Sequence, residues 1–244
     1  MVINMVSITL YEGDCIKVHD LIPDSSIDLI LTDPPYYEKF RKVNNDKIAG
    51  KQGKELTEEV SVLDFDSWKY LFRQWYRILK PEGQLIVFLS PVILLKYAEY
   101  IKLSKLTLKM EFTWLKPYST DFYNYNVKPP TKKEVMFLFS KNGSVHYNTD
   151  HRITDVLEYP LLPTAKKIHP FEKPIALLTD LIGAFSWEGQ TVLDSFAGSG
   201  SVLESALQLN RNSIGIEISP KFSSAIQKRL SGRLGINYQF KKVK

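Results

Sequence analysis

The chain has 244 residues, 44% of them hydrophobic, and a formal net charge of +5. That length can bury a sizeable core, and no stretch approaches the roughly 20 apolar residues of a membrane span, so a cytoplasmic chain without a membrane partner is expected. The opening residues lack the basic-then-apolar pattern of a secretory leader, the single cysteine, Cys15, excludes an intrachain disulfide and a cysteine-based zinc site, and the positive charge is compatible with a polyanionic partner.

The elements follow in chain order. Residues 7–11 alternate and end at Glu12-Gly13-Asp14, which predicts a short strand and turn. Residues 27–31 form a more buried strand. Residues 38–60 are polar, basic and without period, and read as a mobile loop. Asp66-Ser67 is expected to cap a helix whose apolar positions Trp68, Leu71, Phe72, Trp75, Ile78 and Leu79 have helical spacing. Pro81-Glu82-Gly83 is expected to end it, with a strand at 84–89 and a helix at 91–103. Residues 110–115 and 134–139 read as a strand pair, and 140–168 as an irregular insert. A helix at 174–185 begins on Pro174. It is followed by a strand at 191–193, a helix at 201–209, a strand at 213–218 and a helix at 220–230. The tail Lys241-Lys242-Val243-Lys244 is expected to be a disordered end. Strands alternating with helices imply one doubly wound α/β domain over 1–244, with seven strands.

The most informative run is Thr32-Asp33-Pro34-Pro35-Tyr36-Tyr37, at the end of the second strand. Neither proline can extend a central strand or sit inside a helix, so the chain must turn rigidly there. The turn presents the Asp33 carboxylate, carbonyls around the prolines and the Tyr36 ring to one small space. Such a space suits a flat group bearing an amine: two acceptors for its N–H bonds and a ring for its face.

A second constellation, Asp194-Ser195-Phe196-Ala197-Gly198-Ser199-Gly200, follows the strand at 191–193 and opens a helix. Its small residues allow close backbone approach, and the helix start offers unpaired N–H groups. Glu217 ends the next strand, where an acidic side chain can hold a ribose diol. The run is not the GxGxxG fingerprint, which counts against a nicotinamide-linked oxidoreductase.

With these residues in place the chain resembles the S-adenosylmethionine-dependent amino-methyltransferases of DNA. Asp33-Pro34-Pro35-Tyr36 is similar to their catalytic motif, and the Phe196-to-Gly200 loop to their cofactor loop. The order, catalytic motif first, resembles the β subgroup, a circular permutation of the common order. Trp114-Leu115-Lys116, Glu134-Val135 and His169-Pro170-Phe171-Glu172-Lys173-Pro174 resemble further blocks, with Glu172 where Gln is commoner. The resemblance implies a Rossmann-like, mostly parallel mixed sheet and direct methyl transfer to a base amine. Asp33 and the Pro34 carbonyl accept its N–H bonds within the Asp33-Pro34-Pro35-Tyr36 motif, and Tyr36 stacks on a flipped base. It implies S-adenosylmethionine held by Asp14, Cys15, Asp33, Lys173, Asp194, Ser195, Phe196, Ala197, Gly198, Ser199, Gly200, Glu217 and Ile218. Lys173 is there the partner of the methionine carboxylate. Double-stranded DNA is the implied partner, met by Tyr37, Lys39, Arg41 and Lys42, with the 38–60 loop and the 140–168 insert as recognition elements. A homodimer and a cognate restriction endonuclease are further implied partners. No metal is expected, since His146, His151 and His169 lack a ligand spacing. Asp at the first catalytic position resembles the adenine-N6 members. The alternatives are cytosine N4, an RNA adenine, or a module that binds nucleic acid without catalysis.

Overall fold

The structure, a computed structural model, describes residues 5–35, 63–118, 131–163, 167–231, 233 and 236–243. Its nine strands are β1 (Val6–Glu12), β2 (Ile27–Thr32), β3 (Leu79–Phe88), β4 (Thr107–Leu115), β5 (Lys133–Ser140), β6 (Val156–Glu158), β7 (Thr191–Asp194), β8 (Asn212–Glu217) and β9 (Ile236–Lys242). The helices are α1 (Cys15–His19), α2 (Phe65–Ile78), α3 (Pro91–Lys96), α4 (Ala98–Ser104), α5 (Ile175–Phe185), α6 (Ser201–Gln208) and α7 (Pro220–Leu230). The strands form one sheet in the order β6-β4-β5-β3-β2-β7-β8-β1-β9. Among the described residues only β5 runs against its neighbours, β3 and β4, and the other pairings are parallel.

The sequence alternation decides which face each strand residue serves. Leu29, Leu31, Ile86, Phe88, Met136, Leu138 and Val192 join one core cluster with α5, α6 and α7. Their immediate neighbours Ile30, Leu85, Val87, Phe137, Phe139 and Leu193 join the opposite cluster with α1, α2 and the α3–α4 pair. A strand buried on both faces is near-continuously apolar, as β2 and the second half of β3 are. The mixed, mostly parallel α/β sheet stands as expected, but with nine strands in place of seven.

The two extra strands lie at the edges. β9 pairs in parallel along the whole of β1, and Lys242 donates to Glu12 at 2.9 Å. The tail through Lys242 is therefore a strand, not a loose end. Its signal was present: Ile236, Tyr238 and Phe240 alternate with polar residues and pack on the core. β6 pairs with β4 and interrupts the 140–168 insert. Asn148 N–H donates to the Ala184 carbonyl at 2.8 Å and His151 Nε2 meets Asp180 at 3.0 Å. These bonds fasten the insert to α5.

Three boundaries also differ. The α2 cap is Asp64, whose carboxylate accepts from Ser67 N–H at 2.8 Å, so the helix starts before Asp66. β3 begins at Leu79, and Pro81-Glu82-Gly83 is absorbed as an irregularity in its pairing with β2. The helix expected at 91–103 is two, because Tyr97 leaves helical geometry (φ −109°, ψ 13°) and lays its ring on Trp68, centroids 5.4 Å apart. The short α1 has no sequence period of its own; Asp14 caps it through Ile16 N–H at 3.0 Å.

Candidate active site

β2 and β7 are neighbours, yet their crossovers leave in opposite directions: β2 passes through α2 to β3, β7 through α6 to β8. In open α/β sheets the crevice beyond the carboxyl ends at such a switch point is where ligands bind. Asp33 leaves β2 and Asp194 ends β7, so both carboxylates arrive at that crevice. Thr32 Oγ1 donates to Asp194 Oδ1 across the strand ends at 2.8 Å. A cleft opens there, lined by Asp33, Phe88, Lys173, Asp194, Phe196 and Gly198 among others.

On the β7 side the loop is held by neutral donors. Phe196 N–H also donates to Asp194 Oδ1, at 3.0 Å, so both bonds use one oxygen and Oδ2 is left without a partner among the described residues. Burial pushes the Asp194 carboxyl up to about 7, against the two hydrogen bonds that pull it down. Gly198 and Gly200 take positive φ (51° and 77°), a turn that other side chains resist. Glu217 closes the loop from β8. Its Oε2 accepts from Gly198 N–H at 2.7 Å and its Oε1 from Ser219 N–H at 2.8 Å. Each oxygen keeps a further lone pair, while burial holds the carboxyl above its usual range.

Ser195 faces the other way, into the core. Trp75 Nε1–H donates to its Oγ at 3.0 Å, and His19 Nε2 meets the same oxygen at 3.0 Å. His19 is fully buried, and burial presses its ring down to about 4, so it is neutral at pH 7. α1 and α2 thereby anchor the loop from beneath. Sequence reading gave His19 no role and Trp75 only a core position; an indole among apolar neighbours still needs a partner for its N–H.

The β2 side is held by ions. Lys173 Nζ lies 2.5 Å from Asp33 Oδ2 and 3.0 Å from Glu134 Oε2, over the Phe88 ring at 4.9 Å. Lys116 Nζ lies 2.6 Å from Glu134 Oε1. Burial pushes Asp33 above the usual carboxylate range while Lys173 pulls it down. Burial also opposes ionisation of Glu134, but its two ammonium neighbours prevail and its carboxyl lies below the usual range. Two anions raise Lys173 well above an ordinary lysine in spite of its burial.

Of the residues singled out in the sequence, Asp33, Lys173, Asp194, Phe196, Ala197, Gly198 and Ser199 line one cleft. Pro34 is buried and Pro35 half-buried beside it. Gly200 caps α6, Asp14 and Cys15 open α1, and Ile218 stands exposed after Glu217. Tyr36, Tyr37, Lys39, Arg41 and Lys42 lie outside the described residues, as does the 38–60 loop. Glu172, given no role in the sequence, is buried. It accepts from Ile168 N–H at 2.7 Å and from Arg229 Nη1 at 2.8 Å, and Arg229 Nη1 also donates to the Ser199 carbonyl at 2.9 Å. His169 caps its own turn, Nδ1 accepting from Phe171 N–H at 3.2 Å.

Among the described residues no helix is long and apolar enough to cross a membrane. The model of a family described as DNA methylase, covering N6 and N4 enzymes, matches residues 27–228. The type II methyltransferase M.HpaI of Haemophilus parainfluenzae is 28% identical over 245 residues, covering 89% of this chain and 72% of that one. The fold is similar to that of M1.HpyAVI in its complex with S-adenosylmethionine, with a TM-score of 0.69 at 21% identity over 92% of this chain and 99% of that one. It is also similar to the cytosine-N4-specific PvuII DNA methyltransferase, with a TM-score of 0.70 at 17% identity over 95% and 91% of the two chains.

Proposed function

The chain belongs to the DNA methylase family, and from that premise we propose that it methylates the exocyclic N6 amine of an adenine in double-stranded DNA, using S-adenosylmethionine. The observation that carries the reading is the meeting of Asp33 and the Asp194-to-Gly200 loop in one cleft. The residues present fit the methyl donor. Asp194 is a buried carboxylate with one oxygen that has no partner among the described residues, which suits an ammonium. Glu217, outside the lining of the cleft itself, offers lone pairs to hydroxyls, and the half-buried Phe196 lines the cleft. When bound, the donor supplies an electrophilic methyl on a sulfonium.

The protein's own work is positioning and electrostatics. An aryl amine shares its lone pair with its ring and is a poor nucleophile. Asp33 accepts one amine N–H and the Pro34 carbonyl the other, which favours a pyramidal nitrogen with its lone pair free. The rigid Pro34-Pro35 turn fixes both acceptors relative to the strand end. The proton lost from nitrogen after transfer leaves by way of Asp33 or water. Adenine is favoured over cytosine N4 by Asp at the first position of the motif. Cytosine N4 is the second reading, since the family covers both amines.

The test is transfer of labelled methyl to unmethylated duplex DNA, followed by mass analysis of the nucleosides. N6-methyladenine is the expected product; N4-methylcytosine replaces the first reading with the second. Wild-type transfer by Asp33→Ala would overturn the catalytic assignment itself.

A further inference from the structure

The ion chain Lys116–Glu134–Lys173–Asp33 spans four separate segments: the end of β4, the start of β5, the turn before α5 and the exit of β2. Lys173 is nearly buried, its side chain 12% exposed, whereas Asp33 keeps 28% of its side chain open to the cleft. Buried charges survive only when paired on every side. Lys173 has three surroundings, and all are accounted for: one carboxylate on each flank and the Phe88 ring against its ammonium. Its hydrogen bond to Asp33 goes to Oδ2, so among the described residues Oδ1 is the oxygen left to meet an amine.

We infer that Lys173, clamped by Glu134, is a positioning residue that keeps the Asp33 carboxylate anionic and turned so that one oxygen faces the target amine. The inference rests on the reading of Asp33 as the amine's acceptor. It differs from the role the family resemblance implies for Lys173, a contact to the methionine carboxylate. The chemistry is simple. A protonated Asp33 presents an O–H donor toward an N–H donor, and the acceptor role is lost. Burial favours that protonated form, and the adjacent ammonium opposes it. Glu134 has two opposed effects. It raises Asp33 through direct repulsion, and it holds the lysine in place. Lys116 neutralises its outer oxygen. Among the described residues, the other charged or titratable groups near the pair are Asp194 from β7, and Lys167 and His169 from the segment before α5.

The experiment measures kcat/KM for duplex DNA against pH at saturating S-adenosylmethionine, which reports groups of the enzyme–cofactor complex free of DNA. Lys173→Met is expected to move the acidic limb up by about one pH unit or more. That is a loss of about tenfold or more at a fixed pH on the limb, recovered at higher pH. Lys173→Arg is expected to return the limb toward its original position, since its charge is permanent. Glu134→Gln is expected to move the limb the opposite way, because it removes the anion that repels Asp33. Calorimetric affinity for S-adenosylmethionine stays within about twofold in all three. Loss of cofactor affinity in Lys173→Met with an unmoved limb would assign the lysine to the cofactor and overturn the inference. Should Lys173→Met fail to fold, the double variant with Glu134→Gln removes one charge of each sign. Its limb is then compared with that of Glu134→Gln alone, and an upward shift is the expected result, no shift the contrary one. Asp33→Ala is the separate control: activity there removes the underlying reading, whatever Lys173 does.

Discussion

The two sides of the cleft hold their carboxylates by different means. Asp194 and Glu217 are fixed by N–H and O–H donors without charge, from Thr32, Phe196, Gly198 and Ser219. Asp33 is fixed by a lysine that is itself fixed by a second carboxylate. The first arrangement leaves burial uncompensated, so a cation is welcome beside Asp194. The second cancels charge in place, so Asp33 can face a neutral amine without a counterion from the substrate. On the proposed function, the ends of two neighbouring strands thus serve a cationic ligand and an uncharged one with the same residue type.

The comparison breaks first at Asp33. Asp33→Asn keeps the shape but aims either a weaker acceptor or a donor at the amine, and methyl transfer is expected to fall about 10²–10³-fold. Cofactor affinity, measured by calorimetry, should hold; a matching fall in affinity would mean the two sides do not work separately. Next comes Glu217→Gln. Its amide can satisfy only one of the two N–H donors that face it, and a charged acceptor is lost. S-adenosylmethionine affinity should drop about 10–100-fold, the range expected for charged hydrogen bonds of about 1.5–3 kcal/mol, with kcat at saturation kept.

A smaller effect separates the sides by pH. Asp194 holds its proton more tightly folded than unfolded, with its folded value at about 7. Its contribution to stability therefore declines as pH rises from the ordinary aspartate range to about 7 and is level above it. Affinity for a cationic ligand runs the other way, rising with pH through about 7. Asp194→Asn should flatten both trends in melting and calorimetric titrations; a pH dependence that survives the substitution would place it elsewhere. The smallest change is Ser195→Ala. It strands the Trp75 N–H and His19 Nε2 in the core, at a cost of about 1–3 kcal/mol of folding stability by denaturant titration. Cofactor affinity should move less than about threefold if the loop keeps its shape.

The loop from Asp194 to Gly200 was legible because it is local. Glycines between a strand and a helix dictate a turn with their own few residues. The ion chain was not legible in the same way. Lys116, Glu134 and Lys173 are scattered polar residues until β4, β5 and the turn before α5 converge. Nor does any local pattern say that Ser195 points down to Trp75 and His19 while Asp194 points across to Thr32. The edge strand β9 is a different failure. Its alternation was readable, but three terminal lysines drew attention to charge, and lysines are a common way to blunt an exposed sheet edge.

That edge has a consequence for how the protein is made. Ile8 of β1 finds its partners at Ser213 in β8 and Tyr238 in β9, at the far end of the chain. During synthesis β1 emerges before β8 and β9 and stays without these neighbours until both have left the ribosome. Contacts of such long sequence separation form late and slowly, and an apolar strand left waiting is a point of capture by other chains or by chaperones. The strand order thus carries a cost in biogenesis: β1 is paired only after β8 and β9 are made.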